Sequence, residues 1–286
     1  MIQDLGTIDR PLLLFGGPYG NLEATRALLA EAARLGIPPA RTICTGDIVA
    51  YCADAQATSR LVMESGIHVV MGNCEESLGM AADACGCGFE DGSACDLMAA
   101  RWYRHALETL APAARAWMAA RPRFIRFTMA GRRFLVVHGA ASAINRFVFP
   151  ATSAAEKQAE LALAGVDAIV AGHSGLPFTQ NIGRRLWHNP GAIGLPANDG
   201  TPRVWYSVLA PSADGIEIGH RPLGYDHLTA ARKIRAAGLP AAYAEALESG
   251  LWPSDEIMPL ADRARRGQAL AFRDQLWPTG LRAAAA

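Results

Sequence analysis

The sequence has no net charge: 27 Lys+Arg stand against 27 Asp+Glu over 286 residues. A chain that binds nucleic acid or an anionic membrane through its overall charge needs a basic excess. Neither partner is therefore expected, although a local basic groove stays compatible with the balance. No apolar run reaches the roughly 18 residues of a transmembrane helix, so none is expected. Met1-Ile2-Gln3-Asp4-Leu5 has neither the basic stretch nor the long apolar core of a signal peptide, and the expected location is cytoplasmic. Cysteine is sparse, with six in all, which is no disulfide scaffold; in a reducing compartment they are expected mostly as thiols. Internal repeats are absent, and the only low-complexity piece is the terminal Ala283–Ala286.

Apolar mass is what the chain does have. Hydrophobic residues make up 51% and charged residues 19%, which excludes an intrinsically disordered protein. The length suffices for a full core, in one large domain or two small ones.

Apolar strand-like runs alternate with helical patterns over the first two thirds. Pro11–Phe15 is a short buried strand ending in Gly16-Gly17, and Asn21–Leu35 follows with helical spacing, Asn21 as N-cap and Gly36 as stop. Thr42–Thr45 and His68–Met71 are the next strands, with a helix over Ala55–Ser65 between them. Such an order argues for parallel pairing in an α/β layer structure. Glu75–Arg121 reads as mostly helical, broken by a Gly-rich loop at Cys85–Gly92. Strands are expected at Phe124–Ala130, Arg133–Val137, Asp167–Ala171, Arg185–His188, Arg203–Leu209 and Gly215–His220, with a helix over Ala154–Ala164. From Asp226 on the pattern is helical and Ala-rich, broken at Gly238-Leu239-Pro240 and Trp252-Pro253-Ser254. The expected division is a domain over 1–224 with a helical extension over 225–286 packed on it.

Several chemically capable residues stand where a strand hands over to a loop: Asp47, Asn73, His138 and His173. The carboxyl ends of strands in an α/β sheet converge on one edge, where ligands bind. An Asp, an Asn and two His make an oxygen-and-nitrogen set suited to a borderline divalent metal such as Zn, Mn or Fe. Glycine beside Asp47, Asn73, His138 and His173 lets the backbone turn sharply at the ligand.

With these stretches in view, the sequence resembles the calcineurin-like metallophosphoesterase superfamily, in its small bacterial phosphodiesterase branch. The resemblance is carried by Gly20-Asn21-Leu22-Glu23-Ala24, Gly46-Asp47-Ile48-Val49, Gly72-Asn73-Cys74-Glu75, Val137-His138-Gly139, Gly172-His173-Ser174-Gly175-Leu176-Pro177-Phe178 and Asn189-Pro190-Gly191, in family order over roughly residues 12–220. It implies a four-layer α/β/β/α sandwich, two bound metals and hydrolysis of phosphomonoesters or phosphodiesters.

The departures from the family pattern fall together. Where the family has Asp-x-His-Gly-Asn, this chain has Gly17-Pro18-Tyr19-Gly20-Asn21; where it has Gly-His-x-His, the chain has Gly172-His173-Ser174-Gly175; and Cys74 replaces the His of Gly-Asn-His-Asp/Glu. Carried over residue by residue, one metal site keeps only Asp47, whereas the other keeps Asp47, Asn73, His138 and His173. The expectation is one divalent ion (Mn, Fe or Zn) instead of two. A single ion can bind a phosphoryl oxygen and lower the pKa of a bound water to about 7. Losing the second costs about 3 kcal/mol or more of transition-state stabilisation, on the order of a hundredfold in rate, unless a cation replaces it. Arg146 is a candidate for that cation, the alternative being a solvated side chain.

Other residues leave alternatives open. Cys74, at the position of the family's catalytic His, is the candidate catalytic residue, or else a small buried filler. Tyr19 either ligates or fills the vacated site. Cys85, Cys87 and Cys95 could bind zinc, form a redox pair or pack in a Gly-rich loop. His188, beside Asn189-Pro190-Gly191, either approaches the cleft or is structural; His68, His105, His220 and His227 carry no motif. Asp54 or Glu75 could swing in to rebuild the missing site. Leu251-Trp252-Pro253 and Leu276-Trp277-Pro278 repeat a pattern that packs the extension on its domain or serves self-association. Three functions compete: a metal-dependent phosphoesterase with a mononuclear site acting on a small phosphate ester, a non-catalytic metal- or nucleotide-binding descendant, and a mono-metal enzyme of different chemistry.

Overall fold

The computed structural model describes residues 1–278. In chain order the elements are β1 (Ile2–Thr7), β2 (Leu12–Phe15), α1 (Leu22–Arg34), β3 (Thr42–Cys44), α2 (Ala55–Ser65), β4 (His68–Val69), α3 (Asn73–Gly79), α4 (Ala94–Thr109) and α5 (Pro112–Ala119). Then come β5 (Phe124–Met129), β6 (Arg132–Val136), α6 (Ala154–Ala164), β7 (Ala168–Val170), β8 (Phe178–Ile182), β9 (Arg185–Asn189), β10 (Val204–Pro211) and β11 (Gly215–Leu223). The rest is α7 (His227–Ala236), α8 (Ala241–Ser249), α9 (Leu260–Arg263) and β12 (Gln275–Pro278). The Ala283–Ala286 run lies outside the described residues.

Two six-stranded mixed sheets form, in the orders β1-β5-β6-β7-β9-β8 and β12-β11-β10-β2-β3-β4. The alternation of strand side chains sets the layers. Leu12 and Leu14 of β2 face an apolar core shared with Phe127, Phe134, Val136 and Val170 of the other sheet. Leu13 and Phe15 face the opposite way, into a core with Leu28 of α1, Val62 of α2 and Trp102 of α4. On the outer side of the first sheet, Leu135, Ile169 and Trp187 pack with Leu161 of α6. This is the expected four-layer α/β/β/α sandwich.

Local chemistry fixes the helix ends as read. Asn21 Oδ1 accepts from Ala24 N at 3.1 Å, and Gly36 follows α1 in the left-handed conformation (φ +66°). The extension is helical through α7, α8 and α9, and α7 and α8 pack Ile234, Tyr243 and Leu247 into the helix-side core. It also ends in β12, a strand absent from the sequence reading. β12 pairs antiparallel with β11 and places Trp277 between the sheets, edge-on to Phe134 (5.8 Å, 90°).

Candidate metal centre and its cleft

Within each sheet the strands that deliver the site run parallel: β3 beside β4, and β6 beside β7. Their carboxyl ends bring Asp47, Asn73, His138 and His173 to one edge of the sandwich, two from each sheet. Asp47 and His173 both have positive φ, each at +57°. Glycine is required beside them. A Cβ on Gly46 (φ +97°) would lie 2.7 Å from Gly72 N and 2.9 Å from His138 Nδ1, and one on Gly72 would lie 2.4 Å from Asp47 Oδ1.

The four side chains meet at one atom. His138 Nε2 lies 3.1 Å from Asp47 Oδ2, 3.1 Å from Asn73 Oδ1 and 3.1 Å from His173 Nδ1. The outer hydrogen bonds fix the orientations. His138 Nδ1 lies 2.6 Å from the Thr45 carbonyl and donates to it, which turns Nε2 toward the other three groups. Asn73 Nδ2 donates to the Cys85 carbonyl (3.0 Å), so Asn73 Oδ1 points into the site. Cys74 N donates to Asp47 Oδ1 (3.1 Å), leaving Oδ2 for the centre. Phe147 stacks on the His173 ring at 4.1 Å.

Four potential ligand atoms therefore converge where a positive centre satisfies them together. A proton on Nε2 can point at one neighbour, whereas a cation can face all of them. Donors 3.1 Å apart at the usual bond length of about 2.1 Å subtend an angle of about 95°, within the range of real coordination. Asp47, His138 and His173 form a group able to hold a metal ion, with ligand atoms all within 4.8 Å of one another.

Burial pushes the Asp47 carboxyl up, but the charge and hydrogen bond of His138 outweigh it and hold the group below the usual carboxylate range, while Asp47 in turn lifts His138 above the ordinary imidazole range against its burial; a metal ion binding here would take the place of the His138 Nε2 proton. Burial, helped by the neighbouring His138, pulls His173 down to about 3, which leaves a neutral imidazole, the form that ligates.

Glu75 supplies support that the sequence reading misjudged. It does not swing in to rebuild a second site. Fully buried, it accepts from Asp47 N (2.7 Å), Ile48 N (2.7 Å) and Gly72 N (2.8 Å), and so clamps the Asp47 loop to the start of α3. Burial, then the Asp47 charge, pushes Glu75 up to about 7 against the pull of those amides. Asp54 is likewise committed elsewhere, 2.5 Å from Lys233 Nζ.

Several candidates are placed away from the centre. Arg146 is not free to stand in for a cation: its side chain, 37% exposed, pairs with Glu160 (2.7 Å) and Glu156 (3.0 Å). The thiol of Cys74 is buried in the helix-side core, and burial, with the charges of Asp47 and Glu75, holds its pKa well above the ordinary range. Cys74 nonetheless touches the site twice, its backbone N–H donating to Asp47 Oδ1 and its Sγ accepting from Asn73 Nδ2 at 3.6 Å. Cys85 and Cys87 are joined as a disulfide, while Cys95 is a separate buried thiol on α4, so the described residues contain no three-thiolate zinc site. His188 does not reach the cleft; its ring is fully buried and bonds Thr179 Oγ1 (2.8 Å) and Ser207 Oγ (2.7 Å).

Tyr19 and Gly175 stand where the resemblance would put ligands of a second ion. A Cβ on Gly175 would meet Tyr19 Oη at 3.6 Å and the Trp252 ring at 3.7 Å. Tyr19 is 5% exposed, folds back over Gly17 and packs edge-on against Tyr51 (4.9 Å). A Cβ at Gly175 would thus make ordinary van der Waals contact with both rings, on the wall of the open cleft that Tyr19, Gly175 and Trp252 line.

Comparison with known proteins agrees with this architecture. The model of the calcineurin-like phosphoesterase superfamily domain matches residues 20–210, and the chain belongs to that superfamily. Among solved structures, the chain is similar to a metallophosphoesterase from Sphaerobacter thermophilus, with 20% identity, a TM-score of 0.66, and coverage of 85% of this chain and 100% of the other. It is similar also to a hypothetical protein from Pyrococcus horikoshii OT3, with 15% identity, a TM-score of 0.70, and coverage of 88% and 100%. At these identities the likeness concerns the fold. Among curated proteins none matches. No helix among the described residues is long and apolar enough to cross a membrane.

Proposed function

We propose that this chain is a metal-dependent hydrolase of small phosphate esters that works with one divalent ion, Mn, Fe or Zn. The observation that carries the reading is the convergence of Asp47 Oδ2, Asn73 Oδ1 and His173 Nδ1 on His138 Nε2, each at 3.1 Å. When bound, the ion would supply Lewis acidity and an acidified water. The chain's own residues set the stage. Asp47, Asn73, His138 and His173 would hold the ion, Glu75 fixes the Asp47 loop, and Cys74 positions Asp47 through its N–H. Tyr19 and Gly175, standing where the family has metal-ligating residues, support one ion rather than two. That same replacement also favours a second reading, a non-catalytic metal-binding descendant.

Residues 1–224 would carry the chemistry, and 225–286 would act as an extension that closes one side of the cleft; a cytoplasmic location belongs to the same proposal. The test is hydrolysis of an aryl phosphodiester by protein stripped with chelator and then reloaded with Mn, Fe or Zn. Turnover that returns with metal and is lost in His138→Ala supports the enzyme reading. Restored metal content without turnover on aryl monoesters or diesters supports the non-catalytic one.

A further inference from the structure

Beside His173 the surface sinks into an open cleft, about 570 Å³ counted with the solvent at its mouth, that carries no Lys, Arg, Asp or Glu in its lining. Aromatic rings form a large part of its wall. Phe147, stacked on His173, continues into Phe89, which lies nearly parallel to it (6.2 Å, 21°). Tyr19 and Tyr243 line the cavity too, both packed on Tyr51 at 4.9 Å. Trp252, from the extension, is fixed by Nε1 donating to the Pro196 carbonyl (2.6 Å) and by its backbone N donating to Asn198 Oδ1 (2.8 Å). With its polar edge satisfied, the indole has only apolar surface left to offer. Rigid rings of this kind favour flat, uncharged groups, which they contact by offset stacking or edge-to-face.

Charge balance selects among phosphate esters. A divalent ion and the Asp47 carboxylate leave one positive charge at the centre. The cation that could add another, Arg146, is spent on Glu156 and Glu160. A phosphodiester monoanion neutralises the centre, whereas a monoester dianion leaves uncompensated negative charge against an apolar wall, which is costly.

We propose that the cavity takes the planar, uncharged aromatic group of a phosphodiester whose phosphate rests at Asp47, Asn73, His138 and His173. Tyr19, Phe89, Phe147 and Trp252 are then the residues that set substrate choice, and the extension is part of the substrate site. The proposal rests on the phosphoesterase reading above.

Calorimetric binding to Mn-loaded and to chelator-treated protein tests it, with methyl phenyl phosphate, methyl cyclohexyl phosphate and phenyl phosphate as probes. The flat diester is expected to bind about tenfold tighter than its cyclohexyl counterpart, tighter than the dianionic monoester, and only weakly after chelation. Trp252→Leu and Phe89→Leu should each remove most of the phenyl preference while leaving metal content near one ion per chain, which shows that the variants are folded. Equal affinity for the two diesters, tighter binding of the monoester, or no effect of either variant would overturn the proposal. Phenyl-selective binding that depends on Trp252 but is indifferent to chelation would overturn the phosphate placement, and with it the phosphoesterase reading, while keeping the aromatic cavity.

Discussion

The corner built by Asp47, Asn73, His138 and His173 offers lone pairs, and the wall next to it, built by Tyr19, Phe89, Phe147 and Trp252, offers ring faces. His173 belongs to both, with one nitrogen 3.1 Å from His138 and its ring under Phe147. The polar corner is assembled from strand ends with glycine at each turn, so its geometry is set by short motifs. The aromatic wall is assembled from loops and the extension, far apart in sequence, so only the tertiary fold defines it. Substitution in the first corner should therefore cost metal and turnover, and substitution in the second should cost selectivity.

The largest effect is expected from His138→Ala, which removes the atom on which the other donors converge. Bound metal should fall from about one ion per chain to almost none, and turnover should drop by at least about a hundredfold. Survival of both would break the division of labour at once. Glu75→Gln is next. It keeps the shape but sets an amide N–H against one of three donor N–H groups, so metal affinity should weaken by about ten- to a hundredfold, as for lost outer-shell partners, in a chelator competition titration. Gly46→Ala tests the glycine requirement. With φ at +97° and a Cβ landing 2.7 Å from Gly72 N, it should lower stability by about 2 kcal/mol or more, read in urea unfolding. The smallest effect sharpens the contrast. Gly175→His restores the residue type that the family carries there, but against Tyr19 and Trp252, so metal stoichiometry should stay near one ion per chain. A second bound ion would show that the space beside Tyr19 can still be a metal site.

Much of this was legible in the sequence, for physical reasons that can be named. α2 over Ala55–Ser65 and α6 over Ala154–Ala164 fall where their spacing and flanking residues placed them. The four polar residues at strand ends could be picked out because each interrupts an apolar run. The strands absent from the reading, β1, β8 and β12, all lie at sheet edges. Edge strands are half-solvated and need no continuous apolar run; in β1, Gln3 and Leu5 are only half-buried and the other four residues are exposed. The clamp made by Glu75 was hidden because its partners are backbone N–H groups, which leave no mark on residue type. The fates of Arg146 and His188 were hidden similarly. Glu160 and Ser207, which hold them, come from elements whose packing no local pattern encodes. The aromatic wall was illegible for the same reason, since Tyr19 and Trp252 meet only after folding.

Metal content of the native protein by mass spectrometry, with Asp47→Ala and His173→Ala beside it, tests the central claim most directly. About one ion per chain, lost in both variants, is the predicted result. Two ions per chain, or none in protein purified without chelators, would contradict it.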